Sequence, residues 1–308
     1  MEFNHYSVML KECIDGLNLK KGGCYFDGTL GGGGHSEEIL KGIGDGFLFA
    51  TDLDDDALSS TTQKLSKYKN FKAVKSNFKN FEKVCEELNI SSIDGAILDL
   101  GVSSYQLDNR ERGFSYMSSE VLLEMRMDRK SCFSAYDIVY GYDEKKLRYI
   151  ISTYGEEKFA QNIAKNIVEA RKNAPIKTTG ELVEIIDKSI PYKFKRDGHP
   201  AKKTFQAIRI EVNGELDGLD KVLKDIVNKL NVGGRLAVIT FHSLEDRVVK
   251  TVFKELSSGC DCDKRYPCVC GKKEIVKEIT KKPITATETE LSKNTRSKSA
   301  KLRIIEKL

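Results

Sequence analysis

Residues 27–36 read Asp27-Gly28-Thr29-Leu30-Gly31-Gly32-Gly33-Gly34-His35-Ser36 and follow directly on the run Cys24-Tyr25-Phe26. Glycine accepts positive φ and lets a ligand approach the backbone, whereas four consecutive glycines in an idle turn would only lose entropy on folding. Residues Ser36 to Leu40 read as a helix behind the loop. Strand, glycine loop and helix in that order form the first unit of a Rossmann-like domain.

Working outward, apolar runs predict further strands at Phe47 to Asp52, Phe71 to Lys75 and Ile93 to Leu100. Helices are expected between them at Ala57 to Leu65 and around Phe81, Val84, Cys85 and Leu88. This alternation is the pattern of an α/β fold with a parallel sheet. From Asn109 to Val212 the pattern is helical: Phe159, Ile163 and Ile167 recur every four residues within Glu156 to Arg171, and a second apolar face precedes Pro191. Strand pattern resumes after a Gly233-Gly234 turn with Arg235 to Phe241, then Glu274 to Ile279 and Lys301 to Glu306. The expected organisation is a discontinuous Rossmann-like domain, residues 1–108 and 213–308, carrying an inserted helical substrate-recognition domain, residues 109–212.

A chain of 308 residues with 40% hydrophobic and 31% charged residues has room for a core that needs no disulfides, and no apolar run reaches the roughly 18 residues of a membrane span. The first twenty residues hold no uninterrupted apolar core of a signal peptide, so a cytoplasmic setting with reduced cysteines is expected. The net charge of +5 is uneven: 13 Lys and Arg against 5 Glu from Lys264 onward leave −3 on the preceding residues. A basic tail fits either a polyanionic partner or a solvated surface.

The loop lacks the Gly-Lys-Ser/Thr end of a phosphate-binding loop, and a dinucleotide fingerprint would need a glycine where Ser36 stands. Asp27 would also repel a pyrophosphate, which disfavours a nicotinamide-dependent oxidoreductase and favours a cationic ligand. S-adenosylmethionine has a sulfonium, an ammonium and one carboxylate for the loop amides to hold. Asp52 ends the second strand where an acid would receive ribose hydroxyls, while Phe78 and Asp99, after the third and fourth strands, could face adenine. Asp54, Asp55 and Asp56 are read as helix N-terminal capping.

Asn4 to Leu10, Asp27 to Ser36, Leu98 to Ser104, Glu111 to Ser115, Met125 to Asp128, Thr204 to Arg209 and Phe241 to Arg247 together resemble the bacterial small-subunit ribosomal RNA (cytosine-N4)-methyltransferases along nearly the whole chain. One departure is Gly32, where many members carry a larger, often basic residue. The resemblance implies methyl transfer from S-adenosylmethionine to the N4 amine of a cytidine in the decoding region of small-subunit rRNA, with the small ribosomal subunit as partner. It implies cofactor contacts at Gly33, Gly34, His35, Asp52, Phe78, Asp99 and Gln106; the roles of His35 and Gln106 come from the resemblance alone.

Cytosine N4 is a weak nucleophile, so acceptors for its N–H groups are needed; the loop after the fourth strand, with Asp99 or Asp108, is the candidate. Arg126, Arg209, His242, Lys202 and Lys203 are candidate substrate contacts, with His5, Tyr105, Phe114, Tyr116 and Arg247 also placed to touch a base, and Lys195 to Lys203 forms a basic, turn-rich phosphate grip. Cys260, Cys262, Cys268 and Cys270 fit either a tetrathiolate zinc site or idle thiols, and methyl transfer itself calls for no metal. A binding protein with a vestigial pocket is the other rival, opposed by the intact Asp27, glycine loop, Asp52 and Asp99.

Overall fold

The computed structural model describes residues 7–195, 198–260, 262, 265, 267, 270, 271 and 273–308; His5, Arg196, Asp197 and Cys268 lie outside them. Eight strands form one sheet: β1 (Cys24–Asp27), β2 (Phe47–Asp52), β3 (Phe71–Lys75), β4 (Ile93–Asp99), β5 (Leu230–Thr240), β6 (Val276–Glu278), β7 (Ile284–Thr285) and β8 (Lys301–Lys307). Their order is β3-β2-β1-β4-β5-β8-β6, with β7 also on β8. Strands β1 to β5 run parallel, and β8 is antiparallel to β5, β6 and β7. The order reverses between β1 and β4, so their carboxyl ends open the crevice where such sheets bind ligands.

Successive side chains alternate between the two faces of the sheet. Phe26, Phe49, Leu98 and Val238 pack on one face against Leu223, Ile226, Val252 and Phe253, and Phe26 lies 4.9 Å from the rings of both Phe49 and Phe81. Tyr25, Leu48, Ile97 and Ala237 face the other side, against Cys13, Leu17, Ile39 and Ile43. Both faces are covered, which is why these strands read as near-continuous apolar runs.

The chain divides into two compact units, Met1–Gly101 with Gly218–Leu308, and Val102–Asp217. The helical unit therefore starts earlier and ends later than the expected 109–212. Left-handed glycines stand at both crossings, Gly101 at φ +91° and Gly218 at φ +65°. The second unit has its own core, where Ile138, Leu147, Ile150, Ile163, Ile167, Leu182, Ile186 and Phe205 meet. Its helix expected from Glu156 begins at Ala160, because Glu156 is left-handed (φ +49°) and Glu157 instead caps the N–H of Phe159.

Gly233 and Gly234 do not precede β5 but lie inside it, where the pairing with β4 shifts register between Ile93 and Gly95. Strand β7 lies in the polar stretch and is too short, at two residues, to show a period. β8 is fastened by Asp246, from the helix Ser243–Ser257, which accepts from Arg303 Nε at 2.7 Å and Lys301 Nζ at 2.9 Å. Burial opposes ionisation there, but the two cations hold the Asp246 carboxyl below its ordinary pKa. Asp246→Ala would leave the buried Arg303 charge unpaired. A loss of about 3 kcal/mol in urea unfolding is expected, and a loss below about 1 kcal/mol would show that the clamp is not what holds the strand.

Candidate active site

The glycine loop is held by backbone and side-chain groups at the carboxyl ends of the strands. Gly28 N–H donates to Ile97 O, Leu30 N–H to Thr51 O, and Thr51 Oγ1 to Gly28 O, so the loop bridges β4 and β2. Gly33 caps the helix Gly34–Ile43 at φ +69°, and a Cβ there would meet Thr61 Cγ2 at 2.3 Å. A Cβ at Gly34 would lie 1.9 Å from Ser7 Oγ. Glycine is required at both positions by the chain's own packing. His35 is buried, with Nε2 3.0 Å from Val8 O, which makes Nε2 the protonated nitrogen.

Asp27 is not an open contact for a ligand, as its position in the sequence led us to expect. It is 2% exposed and accepts from Ser36 Oγ at 2.7 Å and Thr29 N–H at 3.0 Å, pinning the loop to the helix. Asp52 accepts from Gly31 N–H at 2.8 Å and Asp54 N–H at 2.9 Å, and the Leu53 amide also stabilises its charge. A carboxylate offers about four acceptor sites, so one is left for a ligand hydroxyl. Asp54 caps its helix by accepting from Asp56 N–H at 3.1 Å. Phe78 begins a short 3-10 helix, and its Cβ lies 3.0 Å from where a Cβ on Gly28 would stand, so it flanks the loop.

Asp99 completes this end of the sheet. Its N–H donates to Thr29 Oγ1 at 2.7 Å, joining β4 to the loop, but its buried Oδ1 has no hydrogen-bond partner among the described residues. Burial, reinforced by the charges of Asp27, Glu245 and Glu290, raises its pKa from 3.8 to about 8. Burial likewise raises Asp27 to about 6 against its hydrogen bonds from Ser36 and Thr29, and pushes Asp52 upward. Glu245 accepts from Phe241 N–H at 2.8 Å, and Glu290 from Met9 N–H at 2.9 Å and Ser297 Oγ at 2.6 Å. Thr29, Glu245 and Glu290 were missed in the sequence. The two glutamates stand three residues after the capping residues His242 and Thr287, a spacing that signals a helix start rather than a site.

The remaining candidates are engaged as follows. Gln106, Asp108, Arg126, Arg209, Lys202 and Lys203 all belong to the second unit. Gln106 is buried and exchanges capping bonds with Ser103, whereas Asp108 is exposed. Arg126 is paired with Glu124 and also donates to Ser131 O, and the fork of Arg209 donates two 2.8 Å bonds to Glu215. Both arginines thus have structural duties. Lys202 and Lys203 are exposed, with Lys203 Nζ 3.2 Å from Glu156 O. Phe114 belongs to the helical core, Tyr116 stacks on His199 at 4.5 Å, Tyr105 is half-buried, and Arg247 is exposed. In the first unit His242 Nδ1 accepts from Glu245 N–H at 3.4 Å as a helix cap.

Among the described residues no positive charge acts on the buried Asp99, and its Oδ1 is unsatisfied. A ligand bearing a sulfonium and an ammonium would supply that charge, with the first-turn amides of the helix Gly34–Ile43 suited to its carboxylate. A Rossmann-like sheet with such a site defines a methyltransferase that uses S-adenosylmethionine. The chain belongs to the MraW methylase family, whose model matches residues 2–308. It is 56% identical to the "Ribosomal RNA small subunit methyltransferase H" of Clostridium botulinum strain Loch Maree and 55% identical to that of strain 657, over 100% of each chain. Among solved structures, an rRNA methylase from Streptococcus thermophilus is similar at 13% identity and a TM-score of 0.41, covering 97% of this chain and 93% of that one. Family membership is carried by the full-length matches.

Asp99 binds its proton more tightly folded than unfolded, so between pH 6 and 8 the unfolded chain holds fewer protons and stability falls as pH rises. The melting temperature of the cofactor-free protein is expected to decline across that window. Asp99→Asn should flatten the decline. An equally steep fall in the variant would place the titration elsewhere.

Proposed function

We propose that the chain transfers the methyl group of S-adenosylmethionine to the N4 amine of a cytidine in the decoding region of small-subunit rRNA, acting in the cytoplasm on the small ribosomal subunit. The observation that carries the chemistry is the buried Oδ1 of Asp99 beside the glycine loop, without a partner among the described residues. The substrate rests on the full-length relatives named for small-subunit rRNA methylation.

When bound, S-adenosylmethionine supplies a methyl carbon activated by a positively charged sulfur. Gly33, Gly34, His35, Asp52 and Phe78 hold and orient it, with Gln106 assigned from the resemblance. Asp99 is mostly protonated at neutral pH without a ligand, and a cation beside it favours the carboxylate. The ionised Oδ1 then accepts an N–H of the cytosine amine, returns density to nitrogen and strengthens it as nucleophile. Alignment of amine and methyl contributes the rest.

Four measurements test this reading. Isolated small subunits lacking the modification, incubated with protein and methyl-labelled S-adenosylmethionine, should gain label as N4-methylcytidine in the decoding region; label elsewhere, or tight binding of NAD in its place, refutes the assignment. Asp99→Ala should lower kcat/KM about 100-fold, the size of a lost buried acceptor. Affinity for S-adenosylmethionine should rise between pH 6 and 8 relative to S-adenosylhomocysteine, which lacks the sulfonium charge. Lys202→Ala with Lys203→Ala should weaken subunit binding and reduce its log–log salt slope by about 1.5, as expected for two phosphate contacts.

A further inference from the structure

We propose that Cys260, Cys262 and Cys270 are ligands of a zinc ion that fastens the segment between the helix Ser243–Ser257 and β6. Their three Sγ atoms all lie within 4.8 Å of one another. The proposal is independent of the substrate assignment, since these thiols take no part in the site above.

No apolar core gathers the three sulfurs. Between Leu256 and Val276 no described residue is buried, and none is in a helix or strand from 258 to 275. Long connections in compact domains usually carry a function or a tie. This one is closed at its base, where Ile275 N–H donates to Leu256 O at 2.9 Å. Beyond that bond, Cys260 and Cys270 are exposed and Cys262 half-buried, yet their sulfurs converge.

Local geometry agrees with thiolate ligation. Cys262 N–H donates to Cys260 Sγ at 3.1 Å, so the first Cys-x-Cys step already turns a sulfur toward a backbone donor, the contact a thiolate accepts best. Gly271, directly after Cys270, adopts φ +62° and turns the chain there. A tetrahedral zinc with bonds of about 2.3 Å needs sulfurs about 3.8 Å apart, a spacing within the 4.8 Å limit that the three sulfurs meet. Cys268 lies outside the described residues, so the assignment stands on the other three sulfurs. Elsewhere, burial raises the thiols of Cys24 and Cys85 to about 11 and pushes Cys13 well up, which keeps them protonated and unsuited to a metal.

Soft thiolates select zinc among the common divalent ions, and binding releases the thiol protons to water. The full chain, purified under reductant, exposed to Zn²⁺ and gel-filtered, should carry about one zinc per chain, and C260S/C262S/C270S below about 0.1. Loading the wild type with Co²⁺ should give intense visible bands and a sulfur-to-metal charge-transfer band, a readout independent of whether the triple variant folds. Equal zinc in the two proteins, a weak octahedral cobalt spectrum, or a disulfide among these cysteines in protein isolated from reducing cells would each overturn the proposal.

Discussion

Negative charge buried where β1 and β4 end is the constraint on which the rest of the first unit depends. Asp27 and Asp99 sit on the two strands that meet at the reversal of the sheet, and Glu245 and Glu290 add their charge to Asp99 from elements far along the chain. Asp27 is satisfied by Ser36 and Thr29, and Asp52 by backbone amides, but among the described residues Asp99 keeps one oxygen without a partner. A buried carboxylate in that state either holds a proton or waits for a cation. The raised pKa values of Asp27, Asp52 and Asp99 express that condition, and under the proposed function a positively charged methyl donor would resolve it.

Charge elsewhere in the molecule has been spent on structure more than its sequence count implies. Lys301 and Arg303 belong to the basic tail, yet both are bound to Asp246. Lys307 donates to Val227 O, and its own burial lowers its pKa. Lys273, Lys277, Lys281, Lys282, Lys293 and Lys298 remain exposed and keep the surface of the tail basic. In the helical unit Arg209 is likewise paired internally, whereas Lys202 and Lys203 face solvent. A charged residue type says nothing about its partner, so the excess available to phosphate is smaller than +8.

The strands of the first unit were readable because both faces of the sheet are covered, which makes Phe47–Asp52 and the later part of β5 continuous apolar runs. The loop was readable because four adjacent glycines have few other uses. What escaped was set by distant contacts. Gly233 and Gly234 looked like a turn but sit in a bulged strand, since a register shift depends on the neighbouring β4. Glu156 was placed in a helix by the four-residue repeat of Phe159, Ile163 and Ile167 but is left-handed. Thr29 was given no role in the loop, although its hydroxyl receives the N–H of Asp99, 70 residues away.

The sequence by itself determined the α/β alternation, the place of the glycine loop, the acids Asp27, Asp52 and Asp99 at strand ends, and the presence of a helical insert. These follow from local periodicity and from residue types that carry their conformational preference with them. Only the tertiary structure decided which acid is tied and which is left open, which arginines are paired, and that Cys260 and Cys270 come together. Hydrogen-bond satisfaction, desolvation and sulfur convergence depend on groups brought near from anywhere in the chain, and no local pattern encodes that proximity.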